Sequence, residues 1–468
     1  MPQRLRAALH RLWLVAWIRR HDRSAGHHAI DKRRPIQIVV LSFIGAIAIG
    51  TGLLLLPAAS TTATSPLEAV FTAVSAICVT GLIVVDTPTH WTGLGQVVIL
   101  VLIQLGGFGV MTMATMVSLV LSRQMGLETR YVAAVSTRTV RLGDVGKVLR
   151  GVARTTVAVE LATALVLALR WWISYGEAPG RALWLGVFHS ISAFNNAGFA
   201  LFSDSLVGYE SDPWIILPIS AALIIGGLGF PVLLEIMRHH RWPHRWSLQA
   251  RATAGMSLGL VLTGWLFVLA AEWGNPGTLG PLSVPGKILG AFFQGVVPRT
   301  AGFNSVDIAE MNAGTWFGLD ILMFIGGGSA GTAGGIKVTT VAVLGYAIWS
   351  ELRGEKDVRA NRWRLSPKSI REALTVAALS AALVVLSTGL MTYHEPFSLD
   401  EILFEVVSAF GTVGLSTGIT ADLSAFHQVL LMALMFVGRL GPITLGSSLA
   451  LRSRGRDYRN PETTMIIG

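Results

Sequence analysis

A twelve-residue motif occurs four times in this chain, and every copy has phenylalanine at its first position and glycine at its eleventh. The copies occupy residues 71–82, 188–199, 292–303 and 404–415, so their glycines lie 117, 104 and 112 residues apart. A long period that keeps a glycine at one position indicates a single structural unit used four times. Four copies of a short backbone segment can surround one axis, which is the geometry of an ion pore.

Glycine gives such a segment its chemistry. Without a Cβ, the backbone can adopt conformations that other residues resist and can approach an axis closely. Rings of backbone carbonyl oxygens can then replace the water around a cation, whereas an anion gains nothing from them. A short helix before each segment would also direct the negative end of its dipole towards the axis. The four motifs therefore predict a path for cations.

The elements that must position these segments are membrane helices. Of the 468 residues, 52% are hydrophobic and 14% charged, and the mean hydropathy is +0.58, whereas a soluble protein carries about 25% charged residues. Crossing the hydrocarbon core takes about 20 apolar residues. Eight stretches are long enough: 36–56, 92–122, 152–173, 213–237, 252–271, 316–349, 371–391 and 426–450. The predicted fold is an all-α polytopic membrane protein with eight transmembrane helices. They form four repeats around one pseudo-fourfold pore, and each repeat consists of a span, a pore helix, a filter strand and a second span.

Basic residues orient the predicted spans. Lys and Arg number nine in residues 1–35, seven in 123–154, four in 238–251, seven in 351–371 and four in 452–459. The outer loops around the motifs hold Arg181 and Lys287. Because basic loops tend to stay in the cytoplasm, both termini are expected there, in a multi-pass protein of the plasma membrane (the bacterial inner membrane). The net charge of +10 is then a matter of topology, and no binding of nucleic acid is expected.

A second set of glycines follows the motifs at a nearly constant distance. Gly106, Gly226, Gly326 and Gly438 lie 24 to 28 residues after the four motif glycines, which predicts a break at a matching depth in each second span. In the third repeat the break extends over residues 326–335, which include six glycines. Such a segment cannot form a stable helix, and its motion would have a low energetic cost.

Four basic residues lie within or beside apolar segments. An arginine in a span is costly and therefore a functional candidate, so Arg439 either places a positive barrier on the axis or ties helix ends together through their carbonyl groups. Lys337 is expected to latch a gate or to extend towards the cytoplasm. Arg299 is expected to brace the strand that follows it, and Arg170 to extend to the outer interface beside two tryptophans.

The outer loops are acidic, and two interpretations remain open for them. They are either ordinary solvated loops or the source of a weak field that concentrates cations at the mouth of the pore. The residues concerned are Asp86, Asp204, Glu210, Asp212, Asp307, Glu310, Glu395, Asp400 and Asp422.

The sequence does not favour an enzyme. His189, His427 and Glu160 could do chemistry, but the chain has no HExxH, GxSxG or paired-carboxylate pattern. It also has no Walker A loop and no Rossmann fingerprint, so this chain itself is not expected to bind a nucleotide. An enzyme or a passive scaffold would leave the fourfold repeat unexplained.

Five short stretches are specific enough to suggest a family. They are VTGL at 79–82, NNAGF at 195–199, RTAGFNS at 299–305, GGSAGTAGGIK at 327–337 and TVGLSTG at 412–418. These stretches resemble motifs of the Trk/Ktr/HKT superfamily of potassium transporters. The resemblance covers residues 36–468 and is closest to the membrane (KtrB-type) subunit of bacterial Ktr systems.

The resemblance implies which residues form the site. The filter carbonyls would belong to Val79, Thr80, Gly81, Asn196, Ala197, Gly198, Thr300, Ala301, Gly302, Thr412, Val413 and Gly414. The gate would be an intramembrane loop of Gly326, Gly327, Gly328, Ser329, Ala330, Gly331, Thr332, Ala333, Gly334 and Gly335, with Lys337 at its end. Arg439 matches an arginine that the family places below the filter. In plant relatives a serine at the first filter glycine accompanies sodium permeation, so Gly81 favours potassium.

The resemblance also implies a function and partners. The chain would be the pore subunit of a potassium uptake system, with K⁺ as the transported ion and a role for Na⁺ left open. The alternative is a less selective sodium/potassium channel of the same fold. The resemblance implies that the chain forms a homodimer in the lipid bilayer and carries a cytoplasmic nucleotide-binding regulatory ring of the KtrA type. The closing PETTMIIG is similar to the Ktr C-terminus, which lies at the dimer interface.

The predicted organisation follows the repeats. A basic cytoplasmic tail (1–35) precedes repeat 1 (36–122), and repeats 2, 3 and 4 (123–237, 238–349 and 350–450) each begin with a cytoplasmic connector. The third contains the gate loop, and a cytoplasmic C-terminal tail (451–468) closes the chain.

Overall fold

The computed structural model describes residues 33–123, 145–360 and 363–441, and these residues are predominantly helical. Nearly all of the predicted N-terminal tail, much of the connector before repeat 2 and the whole C-terminal tail, including its predicted dimer contact, lie outside the described residues.

Each repeat contains a long first helix, a short helix and a second helix. In repeat 1 these are α1 (Arg33–Leu54), α2 (Pro66–Ile77) and α4 (Gly93–Arg123), with a single turn, α3 (Thr87–His90), between the last two. Repeat 2 has α5 (Val145–Tyr175), α6 (Pro179–Phe194), α7 (Pro213–Gly227) and α8 (Phe230–Arg238).

Repeats 3 and 4 follow the same order. Repeat 3 has α9 (Leu248–Glu272), α10 (Val284–Val296), α11 (Ala313–Phe324) and α12 (Val338–Leu352). A small antiparallel hairpin of β1 (Arg359–Ala360) and β2 (Trp363–Arg364) leads to repeat 4, with α13 (Pro367–His394), α14 (Leu399–Gly411) and α15 (Ala425–Leu440). Short 3₁₀ turns occupy Val207–Tyr209, Pro243–Arg245 and Ile419–Ala421.

Local sequence explains where the short helices begin. Ser65, Ser283 and Ser398 are N-caps whose hydroxyls accept backbone N–H groups of the first turn. In α2 and α14 a glutamate three residues later completes a capping box. Proline lies in the first turn of α2, α6 and α10, where its missing N–H costs nothing. The C-terminus of each short helix leads directly to its motif glycine.

Length and hydropathy identify membrane spans among the described residues. Three helices are long and apolar enough to cross a bilayer: Arg150–Tyr175 within α5, α9 and α13. The pair α7 and α8, bent by 104°, would make a fourth if it is one span. Shorter apolar helices occupy the other predicted positions, among them Val40–Leu54, Gly93–Gly109, Ala313–Phe324, Val338–Leu352 and Ala425–Leu440. The arrangement of eight spans stays a prediction.

The predicted break occurs in three of the second helices and is absent from the first. In repeat 1, α4 runs without interruption through Gly106. In repeat 2, Gly229 (φ 87°) separates α7 from α8, and in repeat 4, α15 ends at Leu440, directly before Gly441 (φ 85°). In repeat 3, residues 325–337 interrupt the predicted span at 316–349. Gly106, Gly226 and Gly438 also make close contacts through their Cα atoms, which are described below.

Carboxylates hold the first and second helices of three repeats together at the end that is predicted to face outward. In repeat 2, Asp212 accepts hydrogen bonds from Arg170 Nε (2.7 Å) and from the N–H of Trp214 (2.9 Å). It thus caps the second helix while it pairs with the first. The guanidinium of Arg170, which was predicted to extend to the outer interface, is held by this ion pair.

Repeats 3 and 4 use the same device with other residues. Glu272, at the end of α9, accepts from the N–H of Asn312 (3.0 Å), and Glu395, after α13, accepts from the N–H of Ser424 (2.9 Å). Each carboxylate lies at the N-terminus of a second helix, where negative charge is favourable. We call the contacts of Asp212, Glu272 and Glu395 the outer clasps. Two of the acidic loop residues, Asp212 and Glu395, thus have structural roles.

Candidate functional site

The four motifs adopt the same backbone conformation at two positions. The ninth residue is left-handed in every copy, with φ of 55° at Val79, 59° at Asn196, 81° at Thr300 and 49° at Thr412. The eleventh residue, always glycine, has φ between 65° and 94°. Left-handed backbone is rare for β-branched residues such as valine and threonine, so surrounding contacts must impose it. We call residues 79–81, 196–198, 300–302 and 412–414 the glycine strands.

The four glycines form a closed ring. A Cβ built on Gly81 would meet the carbonyl oxygen of Ala197, and one on Gly198 would meet that of Ala301. The circle continues from Gly302 to Val413 O and from Gly414 to Thr80 O. All four contacts are shorter than 3.0 Å, a distance that real Cβ atoms essentially never reach. In each case the glycine's missing side chain is replaced by backbone of the next repeat, so only glycine fits.

Hydrogen bonds fold three strands back onto their own short helices in the same way. The N–H of Thr80 donates to Ser75 O (2.8 Å), that of Ala197 to Ser192 O (2.7 Å) and that of Val413 to Ser408 O (2.8 Å). In the third motif the equivalent N–H, of Ala301, donates to Val297 O (3.0 Å). Thus the third strand leaves its helix by a different route.

The second set of glycines explains how closely the second helices approach the ends of the short helices. Gly106, Gly226 and Gly438 each lie against the carbonyl oxygen of the motif's seventh residue, which is Ile77, Phe194 or Phe410. No side chain would fit at these three points of contact. In repeat 3 the seventh residue is Pro298, and Gly326 instead lies against the oxygen of Gly334 within its own loop.

The interrupting loop of repeat 3 lies against two of the glycine strands. The hydroxyl of Thr332 donates to Asn196 Oδ1 (2.9 Å), and the N–H of Gly328 donates to Gly227 O (2.8 Å). A Cβ on Gly334 would meet the hydroxyl of Thr412. The loop therefore contacts the ninth residues of motifs 2 and 4, at the end of the strands where the short helices stop. We call residues 325–337 the repeat 3 loop.

Two basic residues bind carbonyl groups of this loop. Arg439 is buried and donates to Thr332 O and, at 3.0 Å, to Gly106 O. It thus links the loop to the second helices of repeats 1 and 4. Lys337 folds back, and its ammonium donates to the oxygens of Ala333 and Gly334.

Arg299 braces the third strand against a first helix. Its guanidinium donates to the carbonyl oxygen (3.2 Å) and the hydroxyl (3.0 Å) of Ser257 in α9. This agrees with the prediction of a bracing role, although the contact is made to α9 and not to the strand backbone.

Polar side chains behind strand 2 give Glu160 a partner. The amide of Asn195, just before strand 2, donates to Gln104 Oε1 (2.8 Å) and Glu160 Oε1 (3.3 Å). Glu160 therefore belongs to a network that connects repeats 1 and 2 behind the ring.

Sequence reasoning missed Glu405 as a residue of the site. It lies inside α14, and its carboxylate accepts from the N–H of Thr417 (3.0 Å) and the hydroxyl of Thr420 (2.8 Å). These bonds hold the chain that leaves strand 4. An acid among the mainly apolar residues that follow the first turn of α14 was the available signal.

The candidate histidines have structural partners. His189 is buried, its Nδ1 lies 2.8 Å from Leu185 O, and its Nε2 accepts from the N–H of Leu201. His427 belongs to the outer clasp of repeat 4, where Nδ1 contacts Glu395. Among the described residues, no group of three His, Cys, Asp or Glu side chains could hold a metal ion.

Comparison with known proteins assigns the family. Residues 6–452 match the family described as TrkH, cation transport protein. The chain belongs to this family. The potassium transporter TrkH from Vibrio parahaemolyticus has the same fold, with a TM-score of 0.71 at 20% identity over 91% of this chain and 86% of that one.

Relatives in the family are similar along their whole length. The Ktr system potassium uptake protein B of Bacillus subtilis (strain 168) is 39% identical over 93% of this TrkH-family chain and 97% of its own. The protein of the same name from Vibrio alginolyticus is 36% identical, over 92% and 94%. The potassium/sodium uptake protein NtpJ of Enterococcus hirae is 31% identical, over 93% and 97%.

Proposed function

We propose that this chain takes up potassium ions across the plasma membrane, with the four glycine strands as its selectivity filter. The closed ring of glycines carries the proposal, because it brings four equivalent backbone segments to one place. Rings of carbonyl oxygens from these strands can replace the hydration shell of K⁺. The relatives' names, which speak of potassium uptake, support the choice of ion.

The repeat 3 loop is proposed as the gate. It is the segment that contacts two strands at their inner ends, and its six glycines give it many alternative conformations. Arg439 and Lys337 would stabilise its closed form by binding its carbonyls.

Regulation would come from the cytoplasmic side. The Ktr relatives are named as parts of a system, which supports a partner for this chain as well. We propose a nucleotide-binding ring on the basic cytoplasmic face and a homodimer of pore subunits, each with its own complete pore.

The selectivity proposal is tested at the ring. Gly81→Ser, Gly198→Ser, Gly302→Ser and Gly414→Ser each force a side chain against backbone of the next repeat, so we expect each to conduct sodium better relative to potassium. The control is Gly418→Ser, because Gly418 has a φ of 101° but nothing within 4 Å of its Cβ position. The Gly418→Ser variant therefore has backbone strain comparable to that of the ring variants, without their clash.

The measurement is uptake of labelled potassium against rising external sodium, in cells that lack their own potassium uptake systems. Wild-type selectivity in all four ring variants, at normal expression, would refute the filter. One relative is named a potassium/sodium uptake protein, which favours a second candidate, a less selective channel. Uptake by the wild-type protein with and without external sodium separates the two and also tests for sodium dependence.

A further inference from the structure

The fifth position of the motif is a serine in three repeats and a valine in the third. Ser75, Ser192 and Ser408 are completely buried, in the last turns of the short helices, and Val296 is almost completely buried. The serine hydroxyl reaches the ring glycine in repeats 1 and 4 and the residue after it in repeat 2. Valine carries two methyl groups and no hydroxyl, so the third repeat lacks the contact by its chemistry.

Two of the hydroxyls make the same bond. Ser75 Oγ accepts from the N–H of Gly81 at 3.1 Å, and Ser408 Oγ accepts from the N–H of Gly414 at 3.1 Å. In repeat 2 the hydroxyl is turned, and Ser192 Oγ donates to the carbonyl of Phe199 at 2.8 Å. Every one of these bonds holds the ring glycine or the residue directly after it.

The third strand is held differently. Its helix carries Val296, and Arg299, three residues later, is bound to Ser257 of α9. Repeat 3 also contains the loop that contacts strands 2 and 4. The strand without a serine therefore belongs to the repeat that holds the proposed gate.

We infer that Ser75, Ser192 and Ser408 are positioning residues that fix three of the four glycine strands and thereby set ion discrimination, whereas the third strand has no such hydroxyl and is held through Arg299 instead. The inference rests on the proposed filter. A hydroxyl that binds the backbone at the glycine limits how far the adjoining carbonyls can move, and discrimination between two cations depends on the spacing and stiffness of their ligands. If the hydroxyl is removed, a buried N–H loses its acceptor, and the strand can shift to recover one.

The test compares serine and valine positions in the full-length protein reconstituted in lipid vesicles. Ser75→Ala and Ser408→Ala should each raise the ratio of sodium to potassium flux by about fivefold, the factor that corresponds to one ordinary hydrogen bond. Ser192→Ala should have a smaller effect, because a buried carbonyl tolerates the loss of a partner better than a buried N–H does. Ser75→Thr and Ser408→Thr keep the hydroxyl and should keep the wild-type ratio.

Val296→Ala is the matched control, since it truncates the same position without removing a hydroxyl. It should leave the ratio unchanged. A wild-type ratio in both Ser75→Ala and Ser408→Ala, or an equal change in Val296→Ala, would overturn the inference. If the glycine variants alter selectivity while the serine variants do not, the filter proposal is kept and only the inference about the three serines is refuted. If neither set has an effect, the filter proposal fails as well.

Discussion

At the scale of single residues, the sequence predicted which atoms come together better than it predicted how they are held. The motif glycines were found from their spacing alone, because only glycine accepts both the left-handed backbone and the contact with the next repeat. The clasp of Asp212 with Arg170 and the bonds of Glu405 could not be predicted. Their partners are 42 and up to 15 residues away in the chain, and an acid in sequence does not reveal which donors surround it.

One clasp leads to a prediction about pH. Burial alone would raise the pKa of Glu395, but hydrogen bonds from the N–H of Ser424 and from His427 outweigh burial and hold the pKa below its usual range. A lowered pKa in the folded state means that the carboxylate stabilises the protein above the ordinary glutamate pKa of about 4.3. This contribution is lost as the pH falls through the folded pKa.

We therefore expect acid to lower the melting temperature of the wild-type protein more than that of Glu395→Gln. The measurement is thermal unfolding in detergent between neutral pH and about pH 3.5, on either side of the ordinary glutamate pKa. Asp422→Asn, which changes an exposed acid in the same outer region, serves as the control and should behave like wild type. An equal acid sensitivity in Glu395→Gln would contradict the assignment.

At the scale of elements, the helix positions and three of the four breaks in the second helices were predicted. The exception is α4, where Gly106 marks a close contact with the carbonyl of Ile77 and the helix continues. The sequence cannot distinguish a glycine that permits a close contact from a glycine that ends a helix, because the residue is the same in both cases. The repeat 3 loop was predicted correctly as an interruption, since six glycines in ten residues leave no stable helix.

The contacts of this loop predict how it can be released. Thr332→Val removes the bond to Asn196, and Arg439→Ala removes the bonds to Thr332 and Gly106. Each should raise potassium flux, by roughly fivefold if one hydrogen bond of about 1 kcal/mol biases the loop towards its closed position. Deleting most of residues 326–335 should raise the flux further and weaken control by the cytoplasmic partner.

The measurement is the initial rate of potassium uptake at matched expression. Ser329→Ala is the control, because the Ser329 hydroxyl contacts Thr339 within repeat 3 (2.9 Å) and makes no hydrogen bond to another repeat in the described part of the chain. Unchanged potassium flux in a well-expressed deletion variant would refute the proposal that the loop is a gate.

At the scale of the whole molecule, the distribution of basic residues predicts which side faces the cytoplasm. The one native cysteine, Cys78, is buried, so single cysteines can be added to the natural sequence without a background reaction. Gly274→Cys, in the exposed loop after α9, should react with an impermeant maleimide applied outside intact cells. Lys356→Cys, in the exposed connector before β1, should react only after the cells are opened. The reverse pattern would invert the proposed topology.

The four repeats belong to one polypeptide, and this permits a division of labour that identical subunits could not have. In a homotetramer all four subunits would have the same sequence. A valine at the fifth position or a glycine-rich loop would then occur four times or not at all. Covalent linkage lets each quarter mutate independently, while the neighbour-to-neighbour glycine contacts still require that every quarter keep the same outline. Repeat 3 can thus carry a valine where the other three repeats carry a serine, and it can hold the glycine-rich loop within its second span.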